Sequence, residues 1–400
     1  MRLALARGLG RALLHVRNHG MERDRELVLA AALHNQTYDP QCEGSRADWM
    51  HEFLDERLAE AFLDRAGDVG ASFWDALQQR RLLFLLARGG RGRARELLYA
   101  GFRAKPDSDD LIGGEEILKL DGAAGLRECL RRLRSQEPAE RLAGLAATLG
   151  DLFDTGHGEG SALPLIQEEL LDWRPALADR RVRSLDNFFP RAGKSERTLP
   201  DLTRTMEQIE GGRSSGYYLG YLGKLVGEEQ AEPVFERLLQ ERNAPRLARC
   251  LEFFARRGFP RVCPRLLELA DHPSERVRFS LVQGLSRHQG EEVRQLALRC
   301  LKRRRWRSGE VGLLENNYRS GDVQVLLPVL VSDDHRLIAD LVDVCKQNAH
   351  PELLPVLIYV YEVSLCLNCR DIVIDIMREL GILPGWIEEE HACDALTFSP

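Results

Sequence analysis

Cys366-Leu367-Asn368-Cys369 is the stretch of this 400-residue chain that carries the most chemistry. Two thiols spaced in this way can grip one metal ion. His391 and Cys393 follow after one helix and a turn, so three cysteines and a histidine fall within 28 residues, a donor set suited to tetrahedral zinc. The single residue between His391 and Cys393 is tighter than the usual spacing of two to four, which counts against zinc. A redox reading is weaker, because no βαβ pattern surrounds the motif. Semi-buried thiols at the start of a long helix are the plainer reading. No metal ligand, cofactor or catalytic residue is assigned.

Other motifs fall short in definable ways. Gly193-Lys194-Ser195 has Phe188 where a phosphate loop needs its first glycine, and no strand precedes it. Asp121-Gly122-Ala123-Ala124-Gly125 reads as a turn entering a helix. His51-Glu52 opens like a zinc-protease helix, but Asp55 stands where the second histidine belongs. His15 and His19 are one helical turn apart, with no third ligand nearby in sequence, so they read as a solvated face. Lys302-Arg303-Arg304-Arg305-Trp306-Arg307 puts five positive charges around one indole. That suits phosphates and a stacked base, and equally a helix terminus whose dipole favours cations. Tyr217, Tyr218 and Tyr221 sit among Gly216, Gly220 and Gly223, as a groove wall or a close helix crossing would require. Asp48-Trp49, Trp74-Asp75 and Asp172-Trp173 set a carboxylate beside an indole, but neighbours on a helix point about 100° apart.

The elements that must hold these residues are helices. Apolar residues recur at three and four positions, and no run of alternating β-branched residues suggests a sheet. In the first half the pattern predicts helices over about 22–34, 45–66, 72–88, 91–104, 109–120, 122–135, 138–153 and 161–172. Residues 155–161 and 190–200 read as loops. In the second half, turn signals at Pro260, Ser274, Gly290, Arg307, Gly321, Asp334, Pro351 and Cys366 recur at about 15 residues, so helix pairs repeat at about 30. Val277 and Val293, each followed by Arg, are 16 residues apart. The pattern places Val277, Leu281, Leu285, Val293, Leu298 and Leu301 in a core.

Composition narrows the function. Net charge is −6, from 56 basic and 62 acidic residues, which excludes a basic nucleic-acid coat. Fifty of the basic residues are Arg and six are Lys, a skew that a GC-rich bacterial coding sequence produces. Nine cysteines include Cys129, Cys250, Cys300 and Cys345 within apolar helical patterns, as small hydrophobes in a reducing cytoplasm. The longest apolar run, Leu353 to Tyr361, is too short for a bilayer and contains Pro355, so no membrane partner is expected. Residues 1–21 are basic and read as a helical or partly disordered segment; Met21 is an alternative start. Residues 22–190 read as irregular helical repeats, and 200–400 as regular repeats with C-terminal capping helices.

Asp271-His272-Pro273-Ser274-Glu275-Arg276-Val277-Arg278, with the Leu281/Leu285 face, resembles the opening of the second helix of a HEAT repeat. The match covers residues 244–305 and extends loosely to 380. Residues 38–44, Cys366–Arg370 and Leu383–Ile387 resemble end segments of uncharacterised bacterial HEAT-like repeat proteins of the HEAT/armadillo superfamily. The resemblance implies an all-α fold, a right-handed α-α superhelix with a long concave face. The function it implies is a non-enzymatic scaffold for a protein partner. One alternative is a nucleic-acid-binding HEAT-like protein of DNA-glycosylase type. Another is a lyase-type helper in chromophore attachment.

Overall fold

The computed structural model describes residues 1–44, 46–67, 72–106, 108–156, 161–169, 202–211, 215–303 and 309–398. The chain is mostly helical. Among the described residues the strands are two antiparallel dipeptides, Arg103–Ala104 and Leu111–Ile112. No described helix is long and apolar enough to cross a membrane. Residues 190–200, with Gly193, Lys194 and Ser195, lie outside the described residues, as do Asp172 and Trp173.

The chain divides into two compact units. The first comprises Met1–Ser195 with Gly385–Pro400, the second Glu196–Pro384. The closing segment thus belongs with the N-terminal helices and not with the helices before it. The reason is visible in the first unit. Trp49 is fully buried and donates its indole N–H to the carbonyl of Cys393 at 2.8 Å. The amide of Gly10 donates to the carboxylate of Asp394, and Arg11 pairs with Glu390 at 2.7 Å. Residues 1–20 form two helices, Arg2–Arg7 and Arg11–His19, that bury Leu5, Leu9 and Leu13.

The expected helix over 45–66 is two, Ala47–His51 and Glu56–Arg65. Asp55 makes the break, because its carboxylate caps the second helix by accepting the amide of Leu58 at 2.8 Å. The helix expected over 91–104 stops at Ala100, and the short hairpin takes up Arg103–Ala104 and Leu111–Ile112. Residues 114–136 form one helical stretch broken at Gly122, whose φ of 53° only glycine adopts easily.

In the second unit a row of packed elements alternates in sequence with the elements that connect its members. The row runs Gly216–Leu225, Ala244–Phe254, Glu275–Leu285, the 3₁₀ turn Glu310–Leu314, His335–Asn348 and Leu367–Glu379, each packed on the next. Between them lie Glu228–Gln240, Pro264–Glu268, Glu291–Leu301, Val323–Leu326 and Leu354–Val363. The expected starts hold at Ser274, Gly290, Asp334 and Cys366, which are the N-caps of their helices. Val277, Leu281, Leu285, Val293 and Leu301 are buried. Leu298 is only half-buried. The buried stripe of its helix is Val293, Leu296, Ala297, Cys300 and Leu301, the i, i+3, i+4, i+7, i+8 set, and Leu298 stands off it.

The two Val-Arg pairs divide their labour. The valines fill the core and the arginines tie turns. Arg278 donates to the carbonyl of Pro273 at 2.8 Å. Arg294 makes a forked pair with Asp322 at 2.6 and 3.0 Å.

Candidate functional site

The first row of the second unit carries a groove of about 810 Å³. It crosses five successive elements, from Tyr217 and Gly220 through Glu252 and Arg256, then Phe279 and Gln283, past Gly312 of the 3₁₀ turn, to Asp340 and Asp343. The glycines of the Gly216–Leu225 helix explain its close seating. A Cβ on Gly223 would lie 1.8 Å from the carbonyl oxygen of Phe253, so the backbones touch there. The tyrosines do something different. Tyr217 is 72% exposed, and Tyr218 and Tyr221 are exposed beside it. Arg256 lies over the Tyr217 ring at 4.3 Å, and Arg336 over Phe279 at 5.2 Å.

Charges of both signs line the groove. Arg276 forks onto Glu252 at 2.7 and 3.0 Å, and Arg287 pairs with Glu315 at 3.0 Å. Asp340 is half-buried, and its Oδ2 has no hydrogen-bond partner. Burial, then the neighbouring charge of Asp343, pushes its carboxyl up to about 7. Burial also raises Glu315 and Asp343. Sequence reasoning missed Asp340. Its signal was an acid inside the apolar run Ile338-Ala339-Asp340-Leu341-Val342, one turn after Arg336.

A second cluster lies at two helix starts of the same unit. Cys366 and Cys369 are buried, and the residue that joins them is His335. His391 and Cys393 belong to the first unit, where His391 faces Asp394 at 3.4 Å and Arg17 donates to the Cys393 sulfur at 3.4 Å. The Cys369 thiol, then the Cys369 N–H, the His335 ring and the Asn368 N–H, outweigh burial and hold the Cys366 thiol well below the ordinary thiol range. Burial does the opposite to Cys129, Cys250 and Cys345, pushed up to about 12, and to Cys300, pushed up to about 11. Those four are inert core thiols, as their apolar patterns imply.

The remaining sequence candidates have structural partners. Asp48 forks onto Arg81 at 2.9 Å, and Asp75 closes a capping box with Ser72. Asp121 accepts from Tyr99 at 2.6 Å and from Arg95. His15 and His19 are exposed, and His15 lies 3.3 Å from Asp24. In the basic cluster, Arg303 pairs with Asp271 at 2.6 Å and Glu310 at 3.6 Å. Residues 304–307 lie outside the described residues. Compared with models of protein families, with curated proteins and with solved structures, the chain matches none.

Proposed function

We propose that this chain is a non-enzymatic scaffold. In this reading the second unit is a right-handed superhelix of HEAT-like helix pairs, and a protein partner lies in its groove. The observation that carries the reading is the groove itself, which draws its lining from five successive elements of one row. A surface of that kind suits an extended contact with a chain segment. Its lining supports a protein and not a nucleic acid. Lys224, Arg256, Arg276, Arg287 and Arg336 are nearly balanced by Glu252, Glu315, Asp340 and Asp343, whereas a phosphate backbone needs an uncompensated positive track. The exposed Tyr217 offers a rigid anchor, and the exposed carboxylate of Asp343 offers an acceptor. The segment that fits carries a Lys or Arg side chain for the acidic end of the groove at Asp340 and Asp343, and an apolar side chain for the tyrosines.

Capture from the native host, identification by mass spectrometry and titration with the purified partner test this. Tyr217→Ala and Asp340→Lys should each weaken binding at least tenfold. Arg261→Ala, which removes an exposed pairing with Glu232 and Glu236 outside the groove lining, should leave binding unchanged. A complex indifferent to both groove changes overturns the reading. So does a tight, strongly salt-dependent complex with DNA or RNA.

A further inference from the structure

We propose that His335, Cys366 and Cys369 form a binding site for a thiophilic divalent cation, zinc first, with a fourth position left for water. The ligand atoms of the three side chains all lie within 4.8 Å of one another. His335 Nε2 is 3.5 Å from Cys369 Sγ. Bonds of about 2.3 Å to sulfur and about 2.05 Å to nitrogen, at the tetrahedral angle, put the two atoms about 3.5 Å apart. That edge is therefore already set.

The backbone holds the site in place. His335 is the first residue of the His335–Asn348 helix, whose N-cap Asp334 accepts the amides of Arg336 and Leu337 at 3.0 and 3.1 Å. Tyr359 donates to the carbonyl of Ser332 at 2.9 Å and fixes the approach to that cap. Cys366 is the N-cap of Leu367–Glu379, and Cys369 is one turn further on. Ser364 both accepts the amide of Cys366 and donates to its carbonyl, at 3.2 and 3.1 Å. The fully buried Arg370 donates to the Ser364 carbonyl at 2.9 Å. Second-layer bonds of this kind keep ligands aimed without help from the ion.

The chemistry fits the ion class. Two sulfurs and an imidazole favour zinc over magnesium or calcium, which take oxygen. Two thiolates neutralise a divalent charge, so binding releases whatever protons the thiols still carry and leaves no net buried charge. An ion there would join the starts of two packed helices. It would act as a clamp across one repeat.

Cobalt titration of the reduced, metal-stripped full chain is the test. One equivalent of cobalt should give thiolate-to-cobalt charge transfer and the visible bands of a tetrahedral site, and zinc should bleach both. Cys366→Ser and Cys369→Ser should abolish the bands, and His335→Ala should weaken binding at least tenfold. His335→Cys should restore binding with a stronger charge-transfer band, which separates loss of a ligand from loss of fold. Cys393→Ser should change nothing. The proposal is overturned if no bands form in the wild type. It is also overturned if they survive both cysteine changes, or if they are lost with Cys393→Ser.

Discussion

Asn317 and Asn348, 31 residues apart, make the same pair of hydrogen bonds. Each amide donates to the carbonyl four residues back in its own turn, Asn317 to Leu313 at 3.0 Å and Asn348 to Val344 at 2.8 Å. Each also donates to a carbonyl of the preceding element, Asn317 to His288 at 2.7 Å and Asn348 to Glu315 at 2.9 Å. The beat of the helices is thus repeated in the polar groups that close their ends.

Asn317→Ala should therefore cost about 1–3 kcal/mol, because it strands two carbonyls and the amide of Gly290, which donates to Asn317 Oδ1 at 2.8 Å, at a site only 6% exposed. Asn348→Ala should cost less, since its surroundings are wetter. Urea unfolding of the two variants checks the order. Equal and negligible losses would show that water replaces both amides freely.

The hydrophobic register gives a second contrast. Leu281 is fully buried and Leu298 half-buried. Leu281→Ala should cost about 2–5 kcal/mol through the cavity it leaves. Leu298→Ala should cost about 1 kcal/mol, in line with the smaller apolar area it removes from water. A larger loss at Leu298 than at Leu281 would sink this register.

These contrasts mark what periodicity can and cannot reveal. Helix starts at Ser274, Gly290, Asp334 and Cys366 were legible because caps and breakers act locally. Leu298 was misplaced because one helical turn of apolar residues fits two neighbouring stripes, and only the packed partner chooses between them. His335 was not legible as a partner of Cys366. The two residues open successive helices of one row, and their meeting depends on how those helices stack. His391 and Cys393 were near in sequence, yet the chain carries them into the first unit. Asp340 looked like an ordinary helix acid, and only its burial in the groove distinguishes it.

The pH dependence of stability should report on Asp340. Its folded-state pKa of about 7 lies above the ordinary value of about 3.9 for an unfolded chain. The folded state therefore binds the proton more tightly. This contribution is fully present below about pH 4 and lost as pH rises through about 7. Asp340→Asn should flatten that slope. At pH 8 it should stabilise the chain by on the order of 1–3 kcal/mol, since a tenfold change in proton affinity is worth about 1.4 kcal/mol and the group stays partly wet. Unfolding curves at pH 5 and pH 8 decide it; an unchanged slope in the variant would assign the dependence to other groups.

The joining of the two chain ends in the first unit can be tested at Gly10. This residue has φ −57° and ψ −24°, which any amino acid adopts, so its backbone does not require glycine. In an unobstructed helical position, alanine would stabilise by about 1 kcal/mol. Here a Cβ would lie 1.9 Å from the carbonyl oxygen of Glu390 and 2.8 Å from the Cβ of Cys393. The Glu390 oxygen and the Cys393 carbonyl carbon, 2.7 Å away, are backbone and cannot swing aside. Relief requires the Gly385–His391 helix to move off, which lengthens the Gly10–Asp394 and Arg11–Glu390 bonds and the Trp49 bond to the Cys393 carbonyl. Gly10→Ala should therefore destabilise the chain by about 1–3 kcal/mol, the range for an overpacked core. Trp49 should become more accessible to a fluorescence quencher. Gly92→Ala, where a new Cβ meets nothing within 4 Å, is the control and should be neutral or stabilising. If Gly10→Ala behaves as Gly92→Ala does, the closing segment does not sit on residues 8–11 in solution.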